Sequence, residues 1–164
     1  MGVSGSGKTT IARALAARLG WRFAEGDEFH SATNVAKMRA GIALTDEDRW
    51  PWLDAIAAWI GEARAKGERC VVACSALKDA YRQRIAAGRD DVAFVYLEGS
   101  YDTIAARMQR RTGHYMPLTL LRSQFDALEA PSRSAAITVG IEQPPEKIVD
   151  DVIGALGIPG PGSP

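Results

Sequence analysis

Apolar positions recur along the chain with two alternating periods. Ile11, Leu15 and Leu19 fall on one helical stripe over residues 8–19, and Gly20 stops it. Residues 21–24 form a short strand signal that ends at Glu25-Gly26-Asp27. A short helix is expected from Ser31, as its cap, to Gly41, as its end. A longer one follows Asp46-Glu47-Asp48-Arg49. With Asp48 as cap, Pro51 falls in the first turn, where its missing N–H costs little. Trp52, Ile56, Trp59, Ile60 and Ala63 make the buried stripe of this helix, and Gly67 ends it. The tryptophans are read as core rather than ligand contacts.

Residues 69–74 and 92–97 are apolar runs of strand length, expected to be buried on both faces as in parallel sheets. A helix carrying Tyr81, Arg82 and Ile85 lies between them. Further helices are expected at 101–111 and 118–128, separated by Gly113-His114-Tyr115-Met116-Pro117. A last strand at 136–141 and a helix introduced by Gln143-Pro144-Pro145 close the pattern. Alternating strand and helix predicts a three-layer α/β domain with a parallel sheet and right-handed crossovers. Residues 1–157 read as one domain and 158–164 as a fraying tail.

Composition narrows the partners. The 164 residues carry 20 basic and 20 acidic side chains, which gives no sign of nucleic acid or an anionic membrane as partner. No apolar run approaches the roughly 20 residues of a membrane span, and no signal peptide is seen, so the reading is cytoplasmic. Cys70 and Cys74, if on a strand, stand about 13 Å apart, too far for a disulfide. They read as reduced core thiols, and two histidines add no convincing zinc site.

The strongest chemistry lies at the start. Gly2, Gly7, Lys8 and Thr9 fill the G-x-x-x-x-G-K-[ST] phosphate loop, with Val3, Ser4, Gly5 and Ser6 between them. Glycines let the backbone curl with its N–H groups inward, and the helix that follows presents its positive end to the same anion. Lys8 reaches the β- and γ-phosphates, the Thr9 hydroxyl suits Mg²⁺, and Thr10 continues the first helical turn. Asp27, at the carboxyl end of a strand, lies on the ligand side of an open α/β sheet, although a turn or cap role is the alternative. Arg107, Arg110 and Arg111 are either a solvated face or a clamp on transferring phosphates.

The chain resembles the gluconokinases, small phosphate-loop kinases similar in fold to shikimate and nucleoside monophosphate kinases. The resemblance runs from Gly2 to about Pro131. It rests on GVSGSGKT at 2–9, GDEFH at 26–30 with Asn34, Lys37 and Met38, and LTDEDRWPWL at 44–53. CSALK at 74–78 with Tyr81 and Arg82, RMQRRTGHYM at 107–116 and SQFDALEAP at 123–131 complete it. Departures are small: Ser31 and Ala43 stand where proline is common, Gln83 where an acid is common, and Tyr115 where phenylalanine is.

The resemblance implies transfer of the ATP γ-phosphate to D-gluconate with Mg²⁺, commonly by a homodimer. The roles that fit are Lys8 and the loop amides on the donor, Thr9 and Asp27 toward the metal, and Asp27 toward the substrate hydroxyl. Arg49 and Arg82 suit the gluconate carboxylate, while Lys78 and His30 suit hydroxyls or phosphate. Arg107 and Arg110 belong to an expected lid at about 107–118, where His114 is either a hinge or a substrate contact.

Two rival readings stand beside this one. A shikimate kinase would carry a second aspartate where Glu25 stands and a glycine-rich end to the strand at Ala73-Cys74-Ser75. A nucleotide-binding protein without turnover is the reading from another class. One expectation concerns the sheet: a phosphate loop leaves the end of a buried strand, yet only Met1 precedes Gly2. Strands 69–74 and 92–97 should therefore leave a slot of about 10 Å, twice the strand spacing. An upstream strand, and a destabilised or weakly active 164-residue form, are the corresponding expectations.

Overall fold

The structure is a computed structural model and describes residues 1–110 and 118–158. Strands and helices alternate: α1 (Lys8–Leu19), β1 (Arg22–Glu25), α2 (Ala32–Arg39), α3 (Asp46–Ala65), β2 (Cys70–Ala73) and α4 (Asp79–Ala86). Then come β3 (Val95–Glu98), α5 (Tyr101–Gln109), α6 (Leu118–Ala127), β4 (Ile137–Gly140) and α7 (Pro145–Leu156). β1 pairs with β2, and β3 with β4, both parallel, with Arg22 opposite Cys70 and Val95 opposite Ile137. Every described strand pair is thus parallel, as the alternation predicts.

β2 and β3 do not pair with each other. A cavity of about 520 Å³ lies between them, lined by Ile11, Leu15, Val71, Val72, Val95 and Leu97 among others. This is the expected slot. Met1 sits at its end as a single residue of parallel pairing: its nitrogen donates to Val95 O, and its carbonyl accepts from Leu97 N at 3.0 Å. The Gly2 N–H bonds across to Ser75 O at 3.1 Å, so the phosphate loop is tied to both flanking strands.

The apolar residues fall into two clusters on either side of this cavity. One joins α1, α5 and α7 to β3 and β4 through Leu15, Leu97, Ile104, Ile141 and Val152. The other joins α3 and α4 to β2 through Trp52, Leu53, Ile56, Tyr81 and Ile85.

Several sequence expectations are corrected. Thr45, not Asp48, caps α3. The Asp48 N–H donates to Thr45 Oγ1 and the Thr45 N–H to Asp48 Oδ2, a reciprocal box that starts the helix earlier and leaves Pro51 inside it. The strand expected at 92–97 is Val95–Glu98, because its partner begins at Ile137. Cys70, Val71 and Val72 are half-buried rather than buried on both faces, and the cavity borders all three. Trp59 and Ile60 are half-buried too, and Leu53 and Ala57 complete the buried stripe of α3. Helix α5 ends at Gln109, two residues early.

Candidate active site

The phosphate loop passes from Met1 into α1 through three glycines at positive φ: Gly2 at 139°, Gly5 at 82° and Gly7 at 96°. Space decides at Gly5, where a Cβ would lie 2.7 Å from Met108 Cγ. Conformation alone decides at Gly7, where a Cβ would meet nothing within 4 Å. No side chain caps α1, so its first N–H groups, with the exposed Thr9 and Thr10, are left for an anion. Ser6 Oγ is buried with no hydrogen-bond partner among the described residues. An orphan hydroxyl beside a glycine cradle is what a phosphate group would satisfy.

Lys8 Nζ donates to Val3 O at 3.0 Å, across the loop it belongs to. Ser4 does not offer its amide to the centre of the loop. Its N–H donates to Gln124 Oε1 at 2.6 Å, while Gln124 Nε2 donates back to Ser4 Oγ at 3.1 Å. Sequence reasoning missed Gln124; its only signal was the SQFDALEAP stretch.

Asp27 stands exposed in a 3-10 turn, Gly26–Phe29, at the carboxyl end of β1. The turn lies close on β2: a Cβ on Gly26 would be 2.6 Å from Ala73 O. Trp52 holds the other side, donating from Nε1 to Gly26 O at 2.6 Å and stacking on His30 with centroids 4.3 Å apart. Trp52 is therefore core and scaffold at once. Burial pushes the His30 pKa below its ordinary value, with Asp27 opposing and Arg49 adding to the shift.

Several of the expected substrate residues gather around Tyr81. Lys78 Nζ donates to both oxygens of Asp46 at 2.8 Å, and the Tyr81 hydroxyl donates to the same carboxylate. The Lys78 and Tyr81 hydrogen bonds hold Asp46 below the usual carboxylate range, and the same Asp46 bond raises Lys78. Arg49 lies 5.8 Å from the Tyr81 ring centroid and donates to Leu44 O at 3.4 Å. Asp46 was quoted within LTDEDRWPWL but given no role; only the fold reveals it as the anchor of Lys78.

The phosphate loop and the Asp27 turn both approach the end of β2: the Gly2 N–H bonds Ser75 O at 3.1 Å, and a Cβ on Gly26 would lie 3.2 Å from the Cβ of buried Cys74. Burial raises its thiol to about 11, and the charges of Asp27 and Lys8 both reach it, with opposite effects. Both cysteines are unbridged thiols, as expected.

The other expected residues lie elsewhere. Arg82 is buried, donating to the carbonyls of Ala76 and Leu77 at 3.2 Å and to Asp79 at 3.2 Å. These bonds support Ala76, which holds a left-handed φ of 43° without being glycine. Arg107 donates to Ile141 O at 2.6 Å, and Arg110 is exposed at the end of α5. His114 and most of the expected lid lie outside the described residues, as does the tail beyond Ile158. Among the described residues no group of three His, Cys, Asp or Glu side chains could hold a metal, and no helix is long and apolar enough to cross a membrane.

Known proteins resemble this chain over most of its length. The shikimate kinase family profile matches residues 4–156. The thermosensitive gluconokinase of Escherichia coli K12 is 48% identical over 142 residues, covering 87% of this chain and 76% of that one. The gluconokinase of Gluconobacter oxydans is 45% identical over 154 residues, covering 93% and 86%. The crystal structure of a gluconokinase from Sinorhizobium meliloti 1021 superposes with a TM-score of 0.84 at 45% identity, covering 96% of this chain and 89% of that one. Close identity to enzymes of one name, within the broader fold the profile describes, places the chain in the gluconokinase family of phosphate-loop kinases.

Proposed function

We propose that the protein phosphorylates D-gluconate with ATP and Mg²⁺ to give 6-phospho-D-gluconate. The observation that carries the proposal is the approach of the phosphate loop and the Asp27 turn to the end of β2: the Gly2 N–H bonds Ser75 O at 3.1 Å, and a Cβ on Gly26 would lie 3.2 Å from Cys74 Cβ. Arg49 and Lys78 lie 5.8 and 5.5 Å from the Tyr81 ring centroid. Identity to the gluconokinases supports the choice of acceptor.

The loop amides and the first turn of α1 hold the donor phosphates, and Lys8 leaves Val3 O to neutralise charge on the transferring group. Asp27 accepts the proton of the 6-hydroxyl as that oxygen bonds to the γ-phosphorus and the bond to the β-phosphate oxygen breaks, releasing ADP. Arg49 takes the carboxylate as a planar fork, while Lys78 and His30 bind hydroxyls. Arg82, buried and engaged with carbonyls, acts by shaping the loop rather than by touching substrate. Thr9 and Asp27 fit Mg²⁺, which is normally held by few protein oxygens together with substrate phosphates; bound there, it neutralises phosphate charge. Arg107 and Arg110 remain proposed lid residues at the end of α5, and His114 a proposed contact of that lid. A cytoplasmic homodimer without nucleic-acid or membrane partners completes the proposal, on the strength of the family and the balanced charge.

Phosphorus NMR of the product, with and without chelator, tests it. A gluconate 6-phosphate signal that vanishes without Mg²⁺ is expected. ADP release with no phosphorylated sugar acid would contradict it.

A further inference from the structure

Helix α6 carries contacts that the transfer chemistry above does not use. At one end of the SQFDALEAP stretch, Gln124 clamps Ser4 of the phosphate loop with two hydrogen bonds, at 2.6 and 3.1 Å. Five residues on, the Glu129 carboxylate accepts the Asp79 N–H at 2.6 Å, and the Glu129 N–H donates to Leu77 O at 2.9 Å. Leu77 and Asp79 flank Lys78, the cation anchored by Asp46 on the acceptor side.

One short piece of chain therefore grips the donor loop with one side chain and the acceptor loop with another. The acceptor loop has little freedom to absorb a pull. Ala76 sits at a φ of 43°, Arg82 holds the Ala76 and Leu77 carbonyls, and Ser75 O is bonded to the Gly2 N–H. A shift of the phosphate loop would therefore be carried to Lys78 rather than dissipated.

We propose that Gln124 and Glu129 are positioning residues that couple nucleotide binding at the phosphate loop to the placement of Lys78. The coupling makes the acceptor loop more rigid once the donor is in place. This deepens the gluconokinase reading and rests on it for the identity of the acceptor, but not for the coupling itself.

Hydrogen exchange at residues 74–82, measured on the whole protein with a non-hydrolysable ATP analogue and no sugar acid, tests the coupling separately. In the parent protein the analogue is expected to slow exchange there about tenfold, within the range of ordinary site–site coupling. Gln124→Met keeps the side-chain size but neither hydrogen bond, and should reduce the slowing to less than about twofold. Glu129→Ala should do the same, whereas Glu129→Gln keeps an acceptor for the Asp79 N–H and should restore it. Gluconate titrated with and without the analogue gives the second readout: its affinity gain on nucleotide binding should fall about fivefold in Gln124→Met. No slowing in the parent protein, or slowing in Gln124→Met and Glu129→Ala as large as in the parent, overturns the proposal. Coupled exchange in a protein that ignores gluconate would instead overturn the substrate assignment and leave the coupling established.

Discussion

Lys8 Nζ donates to Val3 O at 3.0 Å, so the lysine spans the phosphate loop. It is a charge stationed at an anion site and carries little of the core. Lys8→Ala should lower kcat/KM by about 10²–10³-fold, comparable to losing one preorganised electrostatic donor. The melting temperature should stay within a few degrees, as for a substitution away from the core. Paired steady-state kinetics and thermal melting check this, and near-normal turnover would remove Lys8 from the chemistry.

Arg49 lies 5.8 Å from the Tyr81 ring centroid, and the proposed function gives it the gluconate carboxylate. Arg49→Lys keeps the charge but loses the planar fork. KM for gluconate should rise about tenfold while KM for ATP changes less than about threefold. Equal losses for both ligands would place Arg49 outside the acceptor pocket.

His30 gives the protein a pH dependence. Burial, with a smaller contribution from Arg49, holds its folded-state pKa below the ordinary 6.5. Between those two values the unfolded chain binds more protons at His30 than the folded one, so the His30 contribution to stability rises with pH through this window and is constant above it. Melting temperature should fall as pH drops from about 7 to 5, and the His30→Gln protein should lose part of that slope. The Met1 amino group, lowered to about 5 by burial, titrates over the same range but is common to both proteins, so the difference in slope belongs to His30. An identical slope in the variant would assign the effect to other groups.

Gly26 fixes the turn that carries Asp27, with room for no side chain against Ala73 O at 2.6 Å. Gly26→Ala must push the turn away from backbone that cannot yield. A cost of about 2 kcal/mol is expected, as for overpacking a tight site. For a domain of this size that is a fall of roughly 5 °C in Tm. Turnover should fall further than stability explains, since Asp27 moves with the turn. An unchanged Tm would show the turn to be loose.

Much of this was legible in the sequence because it was written locally. The phosphate loop, the Ser31 cap, the Gly20 and Gly67 stops and the proline start of α7 each depend on a few neighbouring residues, and each stands where the pattern puts it. That β2 and β3 do not pair directly was also legible. What escaped was set by long-range contact. Gln124 meets Ser4 across 120 residues, and Lys78 meets Asp46 across 32. Neither pairing has a periodicity to betray it. Arg82 shows a related difficulty: its place in a motif is legible, but the carbonyls of Ala76 and Leu77 that it bonds are seen only in the fold. The cap of α3 failed for a local reason, since Thr45 and Asp48 are both good caps and the reciprocal box chose the first.

On the proposed function, Asp27, Arg49 and Lys78 serve a linear sugar acid. The most direct measurement is kcat/KM in an ADP-release assay with ATP and Mg²⁺, run over D-gluconate, other sugar acids and shikimate. Gluconate should lead shikimate by at least about 10²-fold, since a site built to bind hydroxyls and a carboxylate in one geometry penalises the wrong arrangement heavily. Shikimate turned over as well as gluconate, or tight ATP binding with turnover of no acceptor, would contradict the account.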